Sequence, residues 1–226
     1  MSNLSHNWLI KIRSPEFLII VSIFIVLSVF VSVGLTPGLD SFVSVSTKST
    51  QGNKDVDVFM VAVTSTGDLS TLLVVGIVLT IIRRTRRQGL IFLITMVFIA
   101  ISIIYIKPII GRVEPINKFQ TSLILPKDFV LENDSVVPYA SSFSYPSNHI
   151  AIVTSFAFIF GFGIYQKNRL AGILMWVFPA LVALTKLYLM QHYLSDIVGG
   201  FLFGLIVSII MGNMLRLDKT FMVSRV

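Results

Sequence analysis

The sequence predicts an all-α membrane protein, a bundle of six transmembrane helices in a single domain over residues 1–226. The first observation is composition: 54% of the residues are hydrophobic and only 13% are charged, and the mean hydropathy is +0.86. Soluble domains carry about 25% charged residues. The second observation is that long uncharged stretches recur along the chain. The third is that the charges flanking these stretches are distributed unequally between their two ends.

Six uncharged stretches are the predicted spans. They cover residues 17–35, 69–82, 90–106, 150–165, 170–184 and 197–215. A bilayer core takes about 20 apolar helical residues, and the shorter stretches reach that length when their polar flanks lie at the interface. The first stretch is long for a signal-peptide core and no A-x-A cleavage site follows it, so we expect it to be retained.

The charge distribution predicts the orientation of the bundle. With six spans, both termini and the loops RRTRRQ (83–88) and QKNR (166–169) share one side, which holds eleven of the eighteen basic residues and two of the eleven acidic ones. The positive-inside rule makes this side cytoplasmic. We therefore expect a multi-pass protein of the cell membrane with cytoplasmic termini. Membrane topology and contact with anionic membrane lipids account for the net charge of +7, so the charge gives no reason to expect nucleic-acid binding.

The connections on the opposite side are polar. Residues 36–57 are expected to form an outer loop, and a short interfacial helix is expected to precede the second span. Asp68 is interpreted as ending that helix at the surface, in preference to lining a site. The connection from 107 to 146 is the longest, and structureless loops of that length are uncommon enough to suggest a function. The absence of cysteine excludes disulfides and thiolate metal sites.

Three polar clusters fall at the outer ends of spans three to six. Their sequences are KPIIGRVEP (107–115), YPSNH (145–149) and TKLYLMQHYLSD (185–196). They come from distant parts of the chain but share one depth and one face of the membrane. This convergence predicts a single site.

The third cluster contains a histidine and a carboxylate one helical turn apart. His192 and Asp196 are four residues apart and therefore lie on one face of a helix. A carboxylate so placed accepts the imidazole N–H and raises the basicity of the other ring nitrogen. The pair suits a nucleophile or a base. Considered alone, it suits a pair that holds two helices together equally well.

The other clusters favour binding of an anion. Ser147, Asn148 and His149 follow Pro146 at the start of span four, where free backbone N–H groups and the helix dipole attract negative charge. Alone, this pattern is better explained as a helix cap with an interfacial histidine. The basic residues at the same depth are Lys107, Arg112 and Lys186. Together the clusters indicate a phosphate held beside a lipid.

These clusters resemble the signature of the type 2 phosphatidic acid phosphatase superfamily, K-x6-R-P, P-S-G-H and S-R-x5-H-x3-D. The spacings are met without a gap. The residues that carry the resemblance are Lys107, Pro115, Pro146, Ser147, His149, Lys186, His192 and Asp196. The resemblance implies a six-span bundle with an outward-facing active site.

The resemblance also implies a mechanism. His192 attacks phosphorus in line and forms a phosphohistidine, and Asp196 orients the ring. His149 protonates the leaving group and then activates water. The phosphoryl oxygens are held by Lys107, Ser147, Lys186 and the backbone N–H of Asn148. No metal or other cofactor is required.

Three positions depart from the family pattern: Glu114 replaces the motif arginine, Asn148 replaces glycine, and Thr-Lys at 185–186 replaces Ser-Arg. Glu114 matters most, because a carboxylate 4 Å from a phosphate repels it by about 4 kcal/mol at an effective dielectric constant of 20. We expect Glu114 to pair with Arg112 or Lys118 at the rim, and Arg112 to replace the missing guanidinium as a phosphate ligand. A different substrate and an inactive relative are the alternatives.

The leading functional hypothesis is a lipid phosphatase that acts on an isoprenyl diphosphate, phosphatidic acid or phosphatidylglycerophosphate in the outer leaflet. The alternatives are a phosphotransferase of the same fold, a catalytically impaired lipid-phosphate-binding relative, and a transporter. Transporters place polar groups near the midplane, often with inverted repeats, whereas the clusters here share one surface. The sequence leaves the oligomeric state open.

Overall fold

The computed structural model describes residues 9–48, 50–115, 119, 121, 131, 133–134 and 137–218. The helices in this part of the chain are α1 (Pro15–Ser32), α2 (Pro37–Lys48), α3 (Lys54–Thr66), α4 (Leu69–Ile81), α5 (Arg86–Ile110), α6 (Asn148–Tyr165), α7 (Arg169–Leu174), α8 (Val177–Tyr188) and α9 (Leu194–Met214). A 3₁₀ turn covers Pro138–Ala140, and one antiparallel bridge joins Val113 to Phe143. No β-strand occurs among the described residues, which confirms the all-α prediction.

The helices account for a multi-pass membrane protein. Five helical segments are long and apolar enough to cross a membrane: α1, α5, α6, α9 and Arg169–Tyr188, which joins α7 to α8. The pair α3 and α4 forms a sixth if it is counted as one span bent by 49°. The 13 residues of α4 extend only about 20 Å, and a hydrocarbon core is about 30 Å thick. Helix α4 therefore needs α3 to complete a crossing.

The predicted loop over residues 36–57 is instead largely helical, because α2 and the start of α3 lie within it. Pro37 begins α2, where its fixed φ suits a first helical turn. Leu39, Phe42 and Val45 are spaced three residues apart and form one exposed apolar face. Asp40 is buried on the opposite side. The Ser- and Thr-rich composition hid this periodicity. A helix, α3, does precede the second uncharged stretch as expected, but it is needed to complete the crossing with α4 and is not a separate interfacial helix.

Helices α6 and α9 form the centre of the bundle. Of the apolar 18-residue stretch that could cross the membrane, 78% is buried in α6 and 61% in α9, against 11% in α1. Glycines let them approach closely. A Cβ on Gly200 would lie 2.5 Å from the Ser147 carbonyl oxygen, and one on Gly204 would lie 2.4 Å from that of Ala151. The small-residue face of α9 thus packs inside the bundle, and it brings the N-termini of α6 and α9 together.

The C-terminal end of α5 reaches the same region. Lys107 lies in the last turn of this helix, one residue before Pro108, and Gly111 follows the helix with φ of 70°. A left-handed residue at this position is the usual way to end a helix. The predicted site therefore lies where α5 and α8 end and where α6 and α9 begin.

Candidate active site

The first turn of α6 supplies backbone donors. Ser147 is the N-cap residue of this helix, and Asn148 and His149 are its first two residues. The N–H groups of a first turn have no partner within the helix, so they point out of its end. All three residues are buried. A buried helix end of this kind requires an acceptor, and an anion fits best.

The acceptor is the carboxylate of Asp134. The Asn148 N–H donates to its Oδ2 at 2.8 Å, and the His149 N–H donates to its Oδ1 at 2.9 Å. The Ser147 hydroxyl donates to Oδ1 at 3.3 Å. Lys107 Nζ lies 3.0 Å from Oδ2 and also donates to the Phe143 carbonyl at 2.6 Å. Asp134 itself is 5% exposed.

The two histidines meet at this same carboxylate. His149 Nδ1 lies 2.6 Å from Asp134 Oδ1, and His192 Nε2 lies 3.3 Å from the same oxygen. Both rings therefore contact the same carboxylate oxygen. The position between them holds one oxygen of an anion.

The ring nitrogens that point away from Asp134 each face another carboxylate. His192 Nδ1 lies 3.6 Å from Asp196 Oδ2, and His149 Nε2 lies 3.7 Å from Asp68 Oδ1. Both separations are ion-pair distances longer than a hydrogen bond. Asp68 is the N-cap residue of α4, so it lies at the break between α3 and α4. Its carboxylate also faces the site, which the prediction disfavoured.

Arg112 lies behind Asp196. One of its guanidinium nitrogens, NH1, donates to Asp196 Oδ1 at 3.1 Å and to the Ser195 hydroxyl. The other, NH2, donates to Asp40 Oδ2 at 2.5 Å. Asp40 also accepts the Ser195 N–H at 3.0 Å, and the guanidinium carbon lies 4.2 Å from the centre of the Tyr193 ring. This network ties α2 to the first turn of α9.

The electrostatics of the centre are those of an ion pair. Burial acts to raise the pKa of Asp134, but the charges of Lys107 and His192 and the hydrogen bonds from the histidines hold it well below its usual range. Burial acts to lower the pKa of His192, but Asp134 and Asp196 together raise it to about 9. Near neutral pH the site therefore contains an ionised carboxylate beside a protonated His192.

The comparisons with known proteins identify the family. The family described as "PAP2 superfamily" matches residues 88–218, more than half of the chain. The chain belongs to the PAP2 superfamily. Its structure resembles the crystal structure of a transmembrane PAP2-type phosphatidylglycerolphosphate phosphatase from Bacillus subtilis, with a TM-score of 0.73 and 20% identity over 92% of this chain and 100% of that one. A comparison with curated proteins found no significant match.

Membership of the PAP2 superfamily makes this chain a member of a phosphatase family, and its departures from the PAP2 pattern have visible consequences. The described ion pairs of Arg112 are with Asp40 and Asp196, so the predicted pair with Glu114 is not formed. Lys118, the other predicted partner, lies outside the described residues. Burial raises the pKa of Glu114, which the charges of His192 and Lys107 oppose. Glu114 therefore lies within the electrostatic reach of the site.

Lys186 replaces the arginine of the third PAP2 motif. It is 1% exposed, and its Nζ donates to Gln191 Oε1 at 3.0 Å. Lys186 contacts Gln191 and Arg112 contacts Asp40 and Asp196, so direct binding of phosphate by these two cations stays a prediction. Five of the other six predicted site residues surround the Asp134 carboxylate: His149, His192, Lys107, Ser147 and Asn148. The sixth, Asp196, faces His192.

The same centre has donors of a kind that metals use. One ligand atom each from Asp134, His149 and His192 lies within 4.8 Å of the others. However, the Asp134 carboxylate also receives the Lys107 ammonium and two backbone N–H groups. A divalent cation placed there would face all of these positive groups. The donor set fits an anion better than a metal ion.

Sequence reasoning missed Asp134 and Asp40. Asp134 lies in the long connection, where no periodicity or motif marks one acidic residue among several. Asp40 carries a weak signal, because it is the one charged residue between residues 17 and 47. A lone charge beside apolar positions spaced three apart suggests a buried partner.

Proposed function

We propose that this PAP2 protein hydrolyses a lipid monophosphate or diphosphate through a phosphohistidine on His192. The observation that carries the proposal is the convergence of two imidazoles, the Lys107 ammonium and two adjacent backbone N–H groups on one anion. The Asp134 carboxylate oxygens stand in for two oxygens of a phosphoryl group. A bulky apolar binding partner would not need this set of donors.

Substrate binding uses the donors that now hold the carboxylate. Lys107, the Ser147 hydroxyl and the N–H groups of Asn148 and His149 bind the non-bridging oxygens, and they stabilise the charge that these oxygens carry in the transition state. Lys186 and Arg112 complete the predicted set of phosphate ligands, although their described contacts support positioning roles more directly.

The first chemical step is in-line attack. The Nε2 lone pair of neutral His192 forms a bond to phosphorus while the bond from phosphorus to the leaving oxygen breaks. His149 donates a proton to that oxygen, which leaves as an alcohol or as phosphate. Attack requires the His192 tautomer with its proton on Nδ1, and the Asp196 carboxylate 3.6 Å from that nitrogen favours this tautomer.

The second step restores the enzyme. Neutral His149 accepts a proton from water, and the water oxygen attacks phosphorus of the phosphohistidine. The bond from phosphorus to Nε2 breaks, and inorganic phosphate is released. Replacing water with another acceptor would give the phosphotransferase alternative, so the product separates the two hypotheses.

We place the site on the extracytoplasmic side of the cell membrane, with the termini in the cytoplasm. The arginine-rich start of α5 at Arg86 and the site residue Lys107 are 21 residues apart on one helix, which is about 32 Å. They therefore lie on opposite sides of the hydrocarbon core. The positive-inside rule assigns the arginine-rich end to the cytoplasm.

A cavity beside the site offers room for a lipid headgroup. Its volume is about 470 Å³, and residues of α2 line it together with Arg112, Met190 and Tyr193. This volume lies within the range of small-molecule sites. Isoprenyl diphosphates, phosphatidic acid and phosphatidylglycerophosphate remain the proposed substrates.

The test is phosphate release by purified protein in detergent micelles, with a chelator present and each candidate lipid supplied in turn. We expect turnover of at least one lipid phosphate, acid-labile labelling of the protein by a ³²P substrate, and loss of both in His192→Ala. Lys107→Ala should lose activity, while Lys54→Ala removes an exposed basic residue of α3 and should not. Absence of turnover with every lipid phosphate would refute the proposal.

A further inference from the structure

Asp134 takes no part in the phosphatase chemistry, yet it occupies the centre of the site. Its carboxylate is held by the groups that a phosphoryl oxygen needs: two backbone N–H groups, a serine hydroxyl, an ammonium and two imidazoles. Carboxylate and phosphate cannot occupy this position together. The site is therefore filled by the protein's own anion before substrate arrives.

We propose that Asp134 is an internal competitor for the phosphate site, which a substrate must displace. It thereby sets a threshold of affinity that dianionic phosphate groups exceed and singly charged anions do not. This inference rests on the proposed function and names the class of group that the site accepts: a phosphate monoester or the terminal phosphate of a diphosphate. Phosphodiesters and carboxylates fall outside this class.

The distribution of contacts explains the selection. Asp134 Oδ1 receives the Ser147 hydroxyl, the His149 N–H and both imidazoles, while Oδ2 receives the Asn148 N–H and Lys107. Four donors therefore crowd one oxygen. A phosphate monoester offers three non-bridging oxygens and about two charges to the same donors, so it gains more than the carboxylate loses.

A singly charged ligand has no such advantage. It brings the same charge as Asp134, and it competes against a group on the same chain, whose effective concentration is on the order of millimolar. The apparent dissociation constant of any ligand is its intrinsic value divided by the fraction of open sites. A site that is closed 99% of the time would therefore weaken every ligand roughly a hundredfold.

The experiment measures binding of inorganic phosphate and orthovanadate to purified wild type, Asp134→Asn and Asp134→Ala by calorimetry in detergent. Both substitutions remove the competing charge, and Asp134→Asn keeps the shape of the side chain. We expect both variants to bind either anion at least tenfold more tightly than wild type. Asp55→Asn removes an exposed carboxylate from α3 and is the matched control, with no change expected.

Selectivity gives a second readout. Phosphatidylglycerol vesicles, which present a phosphodiester, should bind or inhibit the Asp134 variants but not wild type. A purely structural role for Asp134 would leave the variants, like wild type, without detectable binding of phosphatidylglycerol. Binding does not depend on turnover. Tighter phosphate binding by the variants would therefore support this inference even if wild type hydrolysed no lipid phosphate, a result that would refute the proposed function.

Three results would overturn the proposal. The first is unchanged or weaker anion binding by both variants in an otherwise active preparation. The second is failure of both variants to fold, which would show that Asp134 is required as a structural anion. The third is stoichiometric metal in purified wild type that is lost on Asp134→Asn, which would make Asp134 a metal ligand.

Discussion

Arg112→Ala is the substitution that best separates two roles for a cation at this site. The sequence predicts that Arg112 binds the substrate phosphate, whereas its contacts with Asp40 and Asp196 support a positioning role behind His192. A phosphate ligand and a positioning residue have different kinetic signatures. Removal of a ligand that binds ground state and transition state equally raises KM, and removal of a residue that holds catalytic geometry lowers kcat.

The magnitude follows from burial. Asp40 and Asp196 are 1% and 0% exposed, and one guanidinium serves both. At 3.1 Å, a single charge pair amounts to about 5 kcal/mol for an effective dielectric constant of 20. Loss of one partner of a buried pair typically costs about 3–5 kcal/mol. We expect Arg112→Ala to lower thermal stability and to free the Asp196 side chain. A shift of about 1 Å in the position of the His192 ring would then lower kcat about a hundredfold.

The assay is steady-state phosphate release together with thermal denaturation in detergent. Arg112→Lys should be intermediate, because it keeps the charge but loses the two-pronged geometry. In an Asp196→Asn background, Arg112→Ala should reduce kcat little further, since residues that act through one another are not additive. A rise in KM with unchanged kcat would refute the positioning role and restore Arg112 as a phosphate ligand.

Three further predictions follow from the site. Glu114→Gln should lower KM severalfold in steady-state assays, because it removes a half-buried carboxylate that opposes the substrate charge; a higher KM would indicate a positive role for Glu114. Asp68→Asn should slow hydrolysis of monophosphates more than of diphosphates, because an alkoxide leaving group depends more on protonation by His149; equal losses would argue against this pairing. In a pH series, kcat/KM should rise up to about pH 9, since His192, with a pKa of about 9, is protonated and unable to attack below that pH. Asp134→Asn should move this rise to lower pH, because the Asp134 charge helps to raise that pKa, and an unmoved profile would contradict the assignment.

Local sequence patterns predicted the parts of the fold that local interactions determine. An uncharged stretch of about 20 residues satisfies its backbone only as a helix in a membrane, so α1, α5, α6 and α9 follow the predicted spans. The prediction that His192 and Asp196 lie on one face of one helix is wrong, because α9 begins at Leu194 and His192 precedes its N-cap residue Tyr193. The short sequence separation nevertheless leaves the two side chains 3.6 Å apart. The PAP2 motif spacings carried the same kind of local information.

The partners of these residues could not be predicted in this way. Asp40 and Ser195 are 155 positions apart, and no periodicity relates α2 to α9. Asp134 reaches the site from a connection without a regular pattern. A single sequence does not specify which of several acidic residues a buried cation selects, since that choice depends on how the helices pack. The corrected elements of the prediction, α2 and the environment of Glu114, both depend on such long-range contacts.

The substitution at the motif arginine becomes understandable from the short extended segment that follows α5. Val113 forms a β-bridge with Phe143, and side chains alternate between two faces in an extended segment. Val113 is 62% exposed, so Arg112 and Glu114 share the inward face. The chain thus has an inward-facing arginine at position 112, two residues before the motif position 114. This arginine contacts Asp40 and Asp196. The vacated motif position carries a carboxylate near Lys107 and His192. If the proposed function holds, the carboxylates of Glu114 and Asp134 both oppose an incoming anion at this site. We therefore expect that only a substrate with a strongly charged phosphate group is attracted to Lys107 and His192 strongly enough to overcome both.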